Sequence, residues 1–454
     1  MYAPPRPKPL PALFGLLRAG LRGDGNLLGL LPAAAYRMEI GPLGWSRRQT
    51  VVVNRPDLVR HVLLDPEGIF PKSDLMVMAL EPLIGDSIFV SSGATWRRQR
   101  GMIDPALSMM RVNRAFPAME AGCAAAEATL ADLARRGERF SLDLMMSHLT
   151  ADIIVRTVFS TSLETGTAHA VFDAFTLFER SVAQVEIRRL IFDKAWTRVP
   201  QRAEVLEACR LIRGHLGELL DSHLAAGAAF DDIASAVVAA HDVDGRAFTR
   251  EELIDQLGVL FLAGHETSAS ALTWVFFLLA TQPAMVERLR AEVTEIVGEG
   301  GEVSFEATKR LVFVRNLFRE TLRLYPPITF LPRIALEATR IGDYAVRRGA
   351  LIMIAPWVLH RHRRYWRNPE VFDPDRFLAH REAEMTPGAY IPFGIGPRIC
   401  AGAAFAAVEA VLLIARLFRR FDFTVEAPER VQPAARLTTR PIEQVMCSVA
   451  DRHA

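Results

Sequence analysis

The segment PFGIGPRICAG places Cys400 at the end of a glycine-punctuated turn and directly before an alanine-rich helical pattern. Backbone N–H groups and the positive end of a helix N-terminus favour a negative sulfur at such a position. Gly394 and Gly402 let the backbone approach a flat ligand closely, and Phe393 is placed to shield the sulfur from water. These residues favour a metal-binding thiolate, with a buried structural cysteine in a glycine loop as the alternative.

A second segment, AGHETSA, begins at Ala263 within a long apolar stretch. Ala263 and Gly264 leave room beside the backbone for a small diatomic ligand. Glu266 and Thr267 supply an acid and an alcohol, which can relay protons as general acid catalysts do. The alternative is a polar kink whose hydroxyls bond back to the carbonyls of their own helix. His265 has no second ligand at metal-binding spacing, so we interpret it as structural.

Glu320 and Arg323 are three residues apart, so they share one face of a helix and can form an ion pair. Arg376, in the segment PDRF, follows between this helix and the cysteine loop. We expect the three side chains to form a buried Glu–Arg–Arg triad whose hydrogen bonds fix the loop leading to Cys400.

Helical patterns must position these residues. The clearest helix opens at Thr249 and Glu252, which have capping-box spacing, and runs without proline to Pro283. Further helices are predicted from about Phe313 to Tyr325 and from near Cys400 to about Arg420, with β-rich pieces at Thr50–Val53, Ala350–Ile354 and Gln444–Val449. The expected fold class is mainly α with small β-sheets (α+β).

The composition narrows the class of protein. The chain has 454 residues and a net charge of +2, which gives no global reason to expect nucleic acid as a partner. No repeat or long linker divides it, so we expect a single domain over residues 1–454. Four widely spaced cysteines favour a reduced, cytoplasmic setting without disulfides or structural zinc. We predict no signal peptide and no membrane span, although residues 12–31 are a candidate for peripheral membrane contact or an ordinary first helix.

Taken together, the motifs show that nearly the full chain resembles the cytochrome P450 family. The family pattern F-x-x-G-x-R-x-C-x-G is met by Phe393, Gly396, Arg398, Cys400 and Gly402. The resemblance implies the cytochrome P450 fold, with haem b between the long central helix and the cysteine-loop helix, and Cys400 as the axial ligand of the iron. It further implies haem contacts by residues at matching positions: Trp96, Arg100, Ala263, Gly264, Arg333, Phe393, Gly394, Arg398 and Gly402.

By the same resemblance the protein is a monooxygenase that uses O2. The chain ends some fifty residues after Cys400, which leaves no room for a fused reductase. Electrons from NAD(P)H are therefore expected through a ferredoxin or flavodoxin and its reductase. A basic docking patch for that partner is expected at Arg97, Arg98, Arg361, Arg363 and Arg364, with a merely solvated run of charges as the alternative.

An apolar substrate is expected above the haem, such as a lipid, fatty acid, terpenoid or steroid-like molecule. The expected lining comes from residues 72–92, 172–195, 257–267, 328–331 and 437–440, with Leu75, Met76, Met78, Leu260, Ile328, Phe330 and Leu437 as contacts. Arg48 matches a carboxylate-binding arginine of related fatty-acid hydroxylases, but Val52 replaces the accompanying tyrosine, which weakens a fatty-acid assignment.

Two alternative functions stay open at this point. One is a peroxygenase driven by hydrogen peroxide, against which the Glu266–Thr267 pair argues. The other is a non-catalytic haem-binding or ligand-binding protein, in which a proton-delivery motif would serve no purpose.

Overall fold

The computed structural model describes residues 2–9, 26–164, 166–182, 192–226 and 230–452. The α-helices in these ranges are α1 Pro56–Leu64, α2 Asp74–Ile84, α3 Gly93–Ile103, α4 Met109–Arg136, α5 Leu142–Phe159, α6 Gly166–Val182, α7 Ala203–Ala226, α8 Ile233–Val238, α9 Arg250–Ala280, α10 Pro283–Val297, α11 Phe305–Arg310, α12 Val312–Leu324, α13 Pro356–Leu359, α14 Ala379–Glu382 and α15 Ala403–Arg420. The strands are β1 Ile40–Pro42, β2 Thr50–Val53, β3 Phe140–Ser141, β4 Leu331–Ile334, β5 Thr339–Ile341, β6 Tyr344–Val346, β7 Leu351–Ile354, β8 Phe421–Val425, β9 Pro433–Ala435, β10 Thr439–Pro441 and β11 Met446–Asp451. The expected fold class, mainly α with small sheets, is confirmed.

The central helix α9 begins with the capping box that the sequence indicates. The side chain of Thr249 accepts from the backbone N–H of Glu252, and the Glu252 carboxylate accepts from the Thr249 N–H. Most of its residues from Leu253 to Leu279 are buried, and α5 packs along it. A helix that is apolar on most sides belongs in the core, so its few polar side chains face specific partners.

Two shorter helices flank the cysteine loop. Helix α12 ends at Leu324, because Pro326 and Pro327 cannot continue a helix. Helix α15 begins at Ala403, three residues later than the cysteine at which the sequence pattern places its start. Cys400 therefore lies in the turn that precedes the helix.

Four small sheets accompany the helices in the described part of the chain. In the four-stranded sheet the order is β1-β2-β7-β4, with β2 parallel to β7 and Thr50 opposite Leu351. Strand β11 pairs with β3 and β8, and it begins two residues later than the predicted Gln444. Strands β9 and β10 form a hairpin that places Thr439 and Arg440 beside α9.

The N-terminal region is only partly described. Most of the stretch 12–31, the candidate for membrane contact, lies outside the described residues; residues 27–30 form a short 3-10 helix. No single described helix is long and apolar enough to cross a membrane, and the one adjacent pair with suitable composition, α9 and α10, is bent by 107°.

Candidate active site

An internal cavity of ≈ 540 Å³ lies between α9 and the cysteine loop. Its walls are mostly aliphatic and aromatic. All but one of the expected haem and substrate contacts line it: Leu75, Met76, Trp96, Arg100, Leu260, Ala263, Gly264, Ile328, Phe330, Arg333, Phe393, Gly394, Arg398, Cys400, Gly402 and Leu437. The structure thus brings residues from distant parts of the chain to one site.

The exception is Met78, which does not line the cavity. Its neighbours Leu75, Met76 and Ala79 do, because α2 presents one face to the cavity and Met78 lies off that face. The stretch 172–195 was also expected to line the cavity, but none of its described residues does so. Ile154 and Val158 of α5 line the cavity, a role that the sequence pattern did not indicate.

The cysteine loop is held by its own backbone. The N–H of Cys400 donates to the carbonyl of Phe393 at 2.9 Å, which closes the turn. Gly394 and Gly396 have φ of +75° and +80°, a region that side chains disfavour. A Cβ on Gly396 would also lie 2.8 Å from the carbonyl oxygen of Leu63. Backbone conformation therefore favours glycine at both positions, and the close approach of Leu63 further requires it at Gly396.

The loop alone does not hold Cys400 as a thiolate. Cys400 faces the cavity, and desolvation by the surrounding protein raises the pKa of its thiol. The backbone N–H of Gly402 and the charges of Arg100 and Lys72 act in the opposite direction but are smaller. Coordination to a metal cation deprotonates a thiol outright. A bound metal cation would therefore be needed to hold Cys400 as a thiolate.

Five cationic side chains line the cavity, and four of them act on one another electrostatically: Lys72, Arg100, Arg333 and Arg398. The fifth is Arg436. Burial lowers the pKa of Arg333 to about 10, and the repulsion of Arg398 adds to this effect. Burial is also the main cause that lowers the pKa of Arg398 to about 10. The pKa of Lys72 lies well below its usual value for the same reasons. An anion bound among these buried cations would offset both the burial and the repulsion.

Haem b fits these residues. The Nη1 atom of Arg398 is buried and has no hydrogen-bond partner among the described residues, while its guanidinium lies 4.5 Å from the centre of the Trp96 ring. Two propionates would satisfy such donors with charge-assisted hydrogen bonds. Lys72 was not predicted from the sequence as a residue of this cation group, because it reaches the group through an isolated β-bridge to Arg333, which is distant in the chain.

The helix above the loop carries Thr267 on the cavity side. Its hydroxyl donates to the carbonyl of Ala263 at 2.6 Å, the back-bonded geometry that was weighed as an alternative. Gly264 lines the cavity, and a Cβ there would lie 2.4 Å from Cδ1 of Ile154. The missing side chain thus permits close packing of α5 on α9, in addition to leaving space for a ligand.

Glu266 lies on another side of α9 from Thr267, because consecutive residues of a helix point about 100° apart. It is 3% exposed and is not part of the cavity lining. Its carboxylate forms an ion pair with Arg440 of β10 and accepts a hydrogen bond from Thr438. Neither partner is near it in sequence, so the sequence did not indicate them.

Glu409 is a second buried acid, and it does line the cavity. Its Oε2 atom lies 2.7 Å from the hydroxyl of Ser268, and Oε1 has no partner among the described residues. Burial raises the pKa of Glu409 to about 8, and the Ser268 hydroxyl lowers it slightly in return. Glu409 is therefore a neutral carboxylic acid at pH 7.

His265, weighed as a metal ligand, lies in an apolar environment. The rings of Phe172 and Phe261 are each 5.6 Å from it, centre to centre. Burial lowers the pKa of His265 to about 4, so it is neutral at pH 7.

The expected Glu–Arg–Arg triad lies under the cysteine loop, fully buried. Arg323 donates to both oxygens of Glu320, at 2.7 and 2.8 Å, and Nε of Arg376 lies 3.2 Å from Oε1 of Glu320. Further donors of Arg323 reach the carbonyls of His360 and Val371. Because all three charged groups have several hydrogen bonds, their burial is compensated.

The triad is connected to the cysteine loop through His360. Its carbonyl accepts from Arg323, and its Nε2 accepts from the backbone N–H of Ile391 at 2.9 Å. Burial lowers the pKa of His360 to about 3, so the ring stays neutral and can accept that bond. His360 is a positioning residue that the sequence motifs did not reveal.

The expected basic docking patch is only partly exposed. Arg361 is buried, with its guanidinium 3.7 Å from the Trp357 ring centre, so it was wrongly assigned to the surface. Arg98 donates to Glu252 and Asp242. Arg97 and Arg363 are exposed, as is Arg364, which pairs with Glu39.

Comparison with known proteins agrees with this geometry. The family model "Cytochrome P450" matches residues 4–447. Cyclooctatin synthase of Streptomyces melanosporofaciens is 32% identical, over 92% of this chain and 90% of its own. Cyclooctat-9-en-7-ol 5-monooxygenase of the same organism is 32% identical over 90% and 87%. A cytokinin hydroxylase of Arabidopsis thaliana is 29% identical over 85% and 76%.

Solved structures give the same fold. The haem domain of a mutant of cytochrome P450DA superposes with a TM-score of 0.84 at 23% identity, covering 100% of this chain and 98% of that one. The family model, the relatives and the fold together show that this chain belongs to the cytochrome P450 family and is a monooxygenase.

Proposed function

We propose that this monooxygenase hydroxylates or epoxidises an apolar small molecule, such as a lipid, a terpenoid or a steroid-like compound. The observation that carries the proposal is the cavity, which has Cys400 and Thr267 among its lining residues and hydrocarbon side chains over most of the rest. Apolar walls favour an apolar substrate through the hydrophobic effect. The names of two relatives, which concern cyclooctatin and cyclooctat-9-en-7-ol, support a substrate of this kind.

Cys400 would ligate the haem iron, and Lys72, Trp96, Arg100, Arg333 and Arg398 would hold the propionates. When bound, haem with a cysteine thiolate supplies the activation of O2, since the thiolate favours O–O cleavage. The triad Glu320–Arg323–Arg376 and His360 hold the loop that presents the sulfur.

Thr267 would present a hydroxyl to the cavity for proton delivery, and Glu266 would supply the acid beside it. Support comes from the position of Thr267 in the cavity wall, directly after Glu266 in the chain. Glu266 itself lies outside the cavity lining, where Thr438 and Arg440 hold its carboxylate.

Electrons would reach the haem from NAD(P)H through a ferredoxin or flavodoxin with its reductase. Arg97, Arg363 and Arg364 are exposed cations that suit an acidic partner of this type. A cytoplasmic setting is proposed because all four cysteines are free thiols.

The carbon monoxide difference spectrum of the reduced, haem-loaded protein tests the ligand assignment. Thiolate ligation gives a red-shifted Soret band in the wild type, and Cys400→Ser is expected to lose it. Cys123→Ser, which changes a buried cysteine outside the cavity, is the matched control and should keep it. A red-shifted band in Cys400→Ser would contradict the assignment.

Coupled turnover separates the monooxygenase from a peroxide-driven enzyme. In Thr267→Ala, we expect normal haem binding, more hydrogen peroxide released per NAD(P)H consumed, and less product. Thr273→Ala on the same helix removes a hydroxyl that does not line the cavity and should leave coupling unchanged. Coupled turnover of Thr267→Ala at the wild-type level would refute the role of Thr267 in proton delivery.

A further inference from the structure

Arg48 and Asp74 form a buried ion pair where two segments of the cavity wall meet. Nη2 of Arg48 lies 2.6 Å from Oδ1 of Asp74, and the two side chains are only 1% and 6% exposed. The second carboxylate oxygen of Asp74 accepts from the backbone N–H of Trp196 at 2.6 Å. Asp74 is the first residue of α2, so the helix N-terminus further stabilises its negative charge.

The pair lies beside the mouth of the cavity. The cavity is lined by Ser46 and Thr50, which lie two residues before and two residues after Arg48 in the chain. It is also lined by Ser73 and Leu75, the residues on either side of Asp74. Trp45 also lines it and is 71% exposed, which marks an opening to the surface. Neither Arg48 nor Asp74 is itself a lining residue.

Arg48 retains donors beyond those that Asp74 uses. Its Nε and Nη1 atoms are buried and have no hydrogen-bond partner among the described residues. A guanidinium offers a planar fork of donors that matches a carboxylate, so an arginine with two unused donors can bind an acidic ligand group. In this protein an internal aspartate already takes up the charge.

We propose that Asp74 is a specificity-determining residue that occupies Arg48 and thereby makes the mouth of the cavity select uncharged substrates over fatty acids. Because Asp74 neutralises the charge of Arg48 and neither residue lines the cavity, Arg48 presents no net positive charge to the carboxylate of a substrate. An ionised carboxylate at this mouth would lose water without gaining the charge of Arg48. This inference rests on the proposed function, whose apolar substrate it narrows to uncharged molecules.

Binding of dodecanoic acid and dodecan-1-ol, measured by calorimetry on the haem-loaded protein, tests the proposal. The two ligands share a chain and differ in charge. In the wild type we expect the alcohol to bind at least tenfold more tightly than the acid. This measurement requires no substitution, and equal affinities would overturn the proposal.

Asp74→Asn removes the competing charge but keeps an oxygen that can accept from Trp196. The affinity for dodecanoic acid is expected to rise about tenfold or more, because a charge-assisted hydrogen bond to Arg48 becomes available. The affinity for dodecan-1-ol should change less than twofold. Arg48→Leu/Asp74→Asn is the matched control and should lose the gain for the acid.

The outcomes separate the two proposals. An unchanged affinity of Asp74→Asn for the acid, in protein that still binds the alcohol, would show that Asp74 does not determine specificity. A wild-type protein that lacks the thiolate band with carbon monoxide would refute the proposed function, whereas the calorimetric comparison would still measure the role of Asp74.

Discussion

Two buried acids lie close to Thr267 and Ser268 of α9: Glu266 precedes Thr267 in the chain, and Glu409 of α15 contacts Ser268. The protein accommodates their burial in opposite ways. Glu266 has a cation, Arg440, and a hydroxyl donor, Thr438. Glu409 has only the hydroxyl of Ser268 among the described residues, and it is neutral at pH 7 because burial raises its pKa to about 8. The two acids are 3% and 1% exposed, so burial alone does not decide whether a carboxyl is charged.

The position of each acid relative to the cavity accounts for the difference. Glu266 is outside the cavity wall, where the β9–β10 hairpin supplies a cation from another part of the chain. Glu409 is in the wall, where a charge without a partner would be costly and where protonation removes that cost. The cavity thus carries an uncharged acid on α15, and four of its five cations belong to the group expected to hold the propionates.

The largest effect is expected from Arg440→Leu, which removes the cation that pairs with Glu266. It leaves the Glu266 carboxylate buried beside Thr438 without its arginine, and we expect a loss of about 3 kcal/mol or more in the free energy of unfolding. Urea unfolding of the haem-loaded protein measures it. Arg430→Leu, which removes an exposed arginine nearby, should cost less than about 1 kcal/mol. Similar losses in the two variants would contradict the importance of the pair.

Glu409→Gln tests whether Glu409 is neutral in the folded protein. The folded protein holds a proton on Glu409 up to about pH 8, whereas the unfolded chain releases it near the usual value of 4.5. Wild-type stability is therefore full at low pH and falls as the pH rises through this window. Relative to Glu409→Gln, we expect a fall on the order of 3 kcal/mol between about pH 5.5 and about pH 8.

Urea midpoints of both proteins across that range provide the measurement. Glu429→Gln changes an exposed acid and should run parallel to the wild type. If Glu409→Gln also runs parallel, Glu409 is ionised in the folded protein and the contrast with Glu266 disappears.

Ser268→Ala should have the smallest effect. It removes the one hydroxyl that Glu409 contacts, and we expect a cost of about 1 kcal/mol at pH 6. Because that hydroxyl lowers the pKa of Glu409, its removal should extend to higher pH the range over which the stability falls. Ser270→Ala, which removes a buried hydroxyl bonded to the carbonyl of Thr439, should cost a similar amount without moving the window.

The sequence by itself determined the family, the fold class and the local motifs. The cysteine loop is a turn closed within a few residues, and Glu320 and Arg323 meet because helix geometry brings positions i and i+3 together. The capping box of α9 is equally local. Such features depend on spacing along the chain, which a single sequence displays directly.

Only the tertiary structure decided which distant residues complete the site. Lys72 reaches the cation cluster beside Arg333, Glu409 meets Ser268, and Asp74 takes up Arg48. The sequence pattern made Met78 a lining residue and Arg361 a surface residue, whereas helix rotation and packing against Trp357 place them elsewhere. Periodicity predicts that a side chain is buried or polar, but the partner it meets is set by how the helices and sheets pack together.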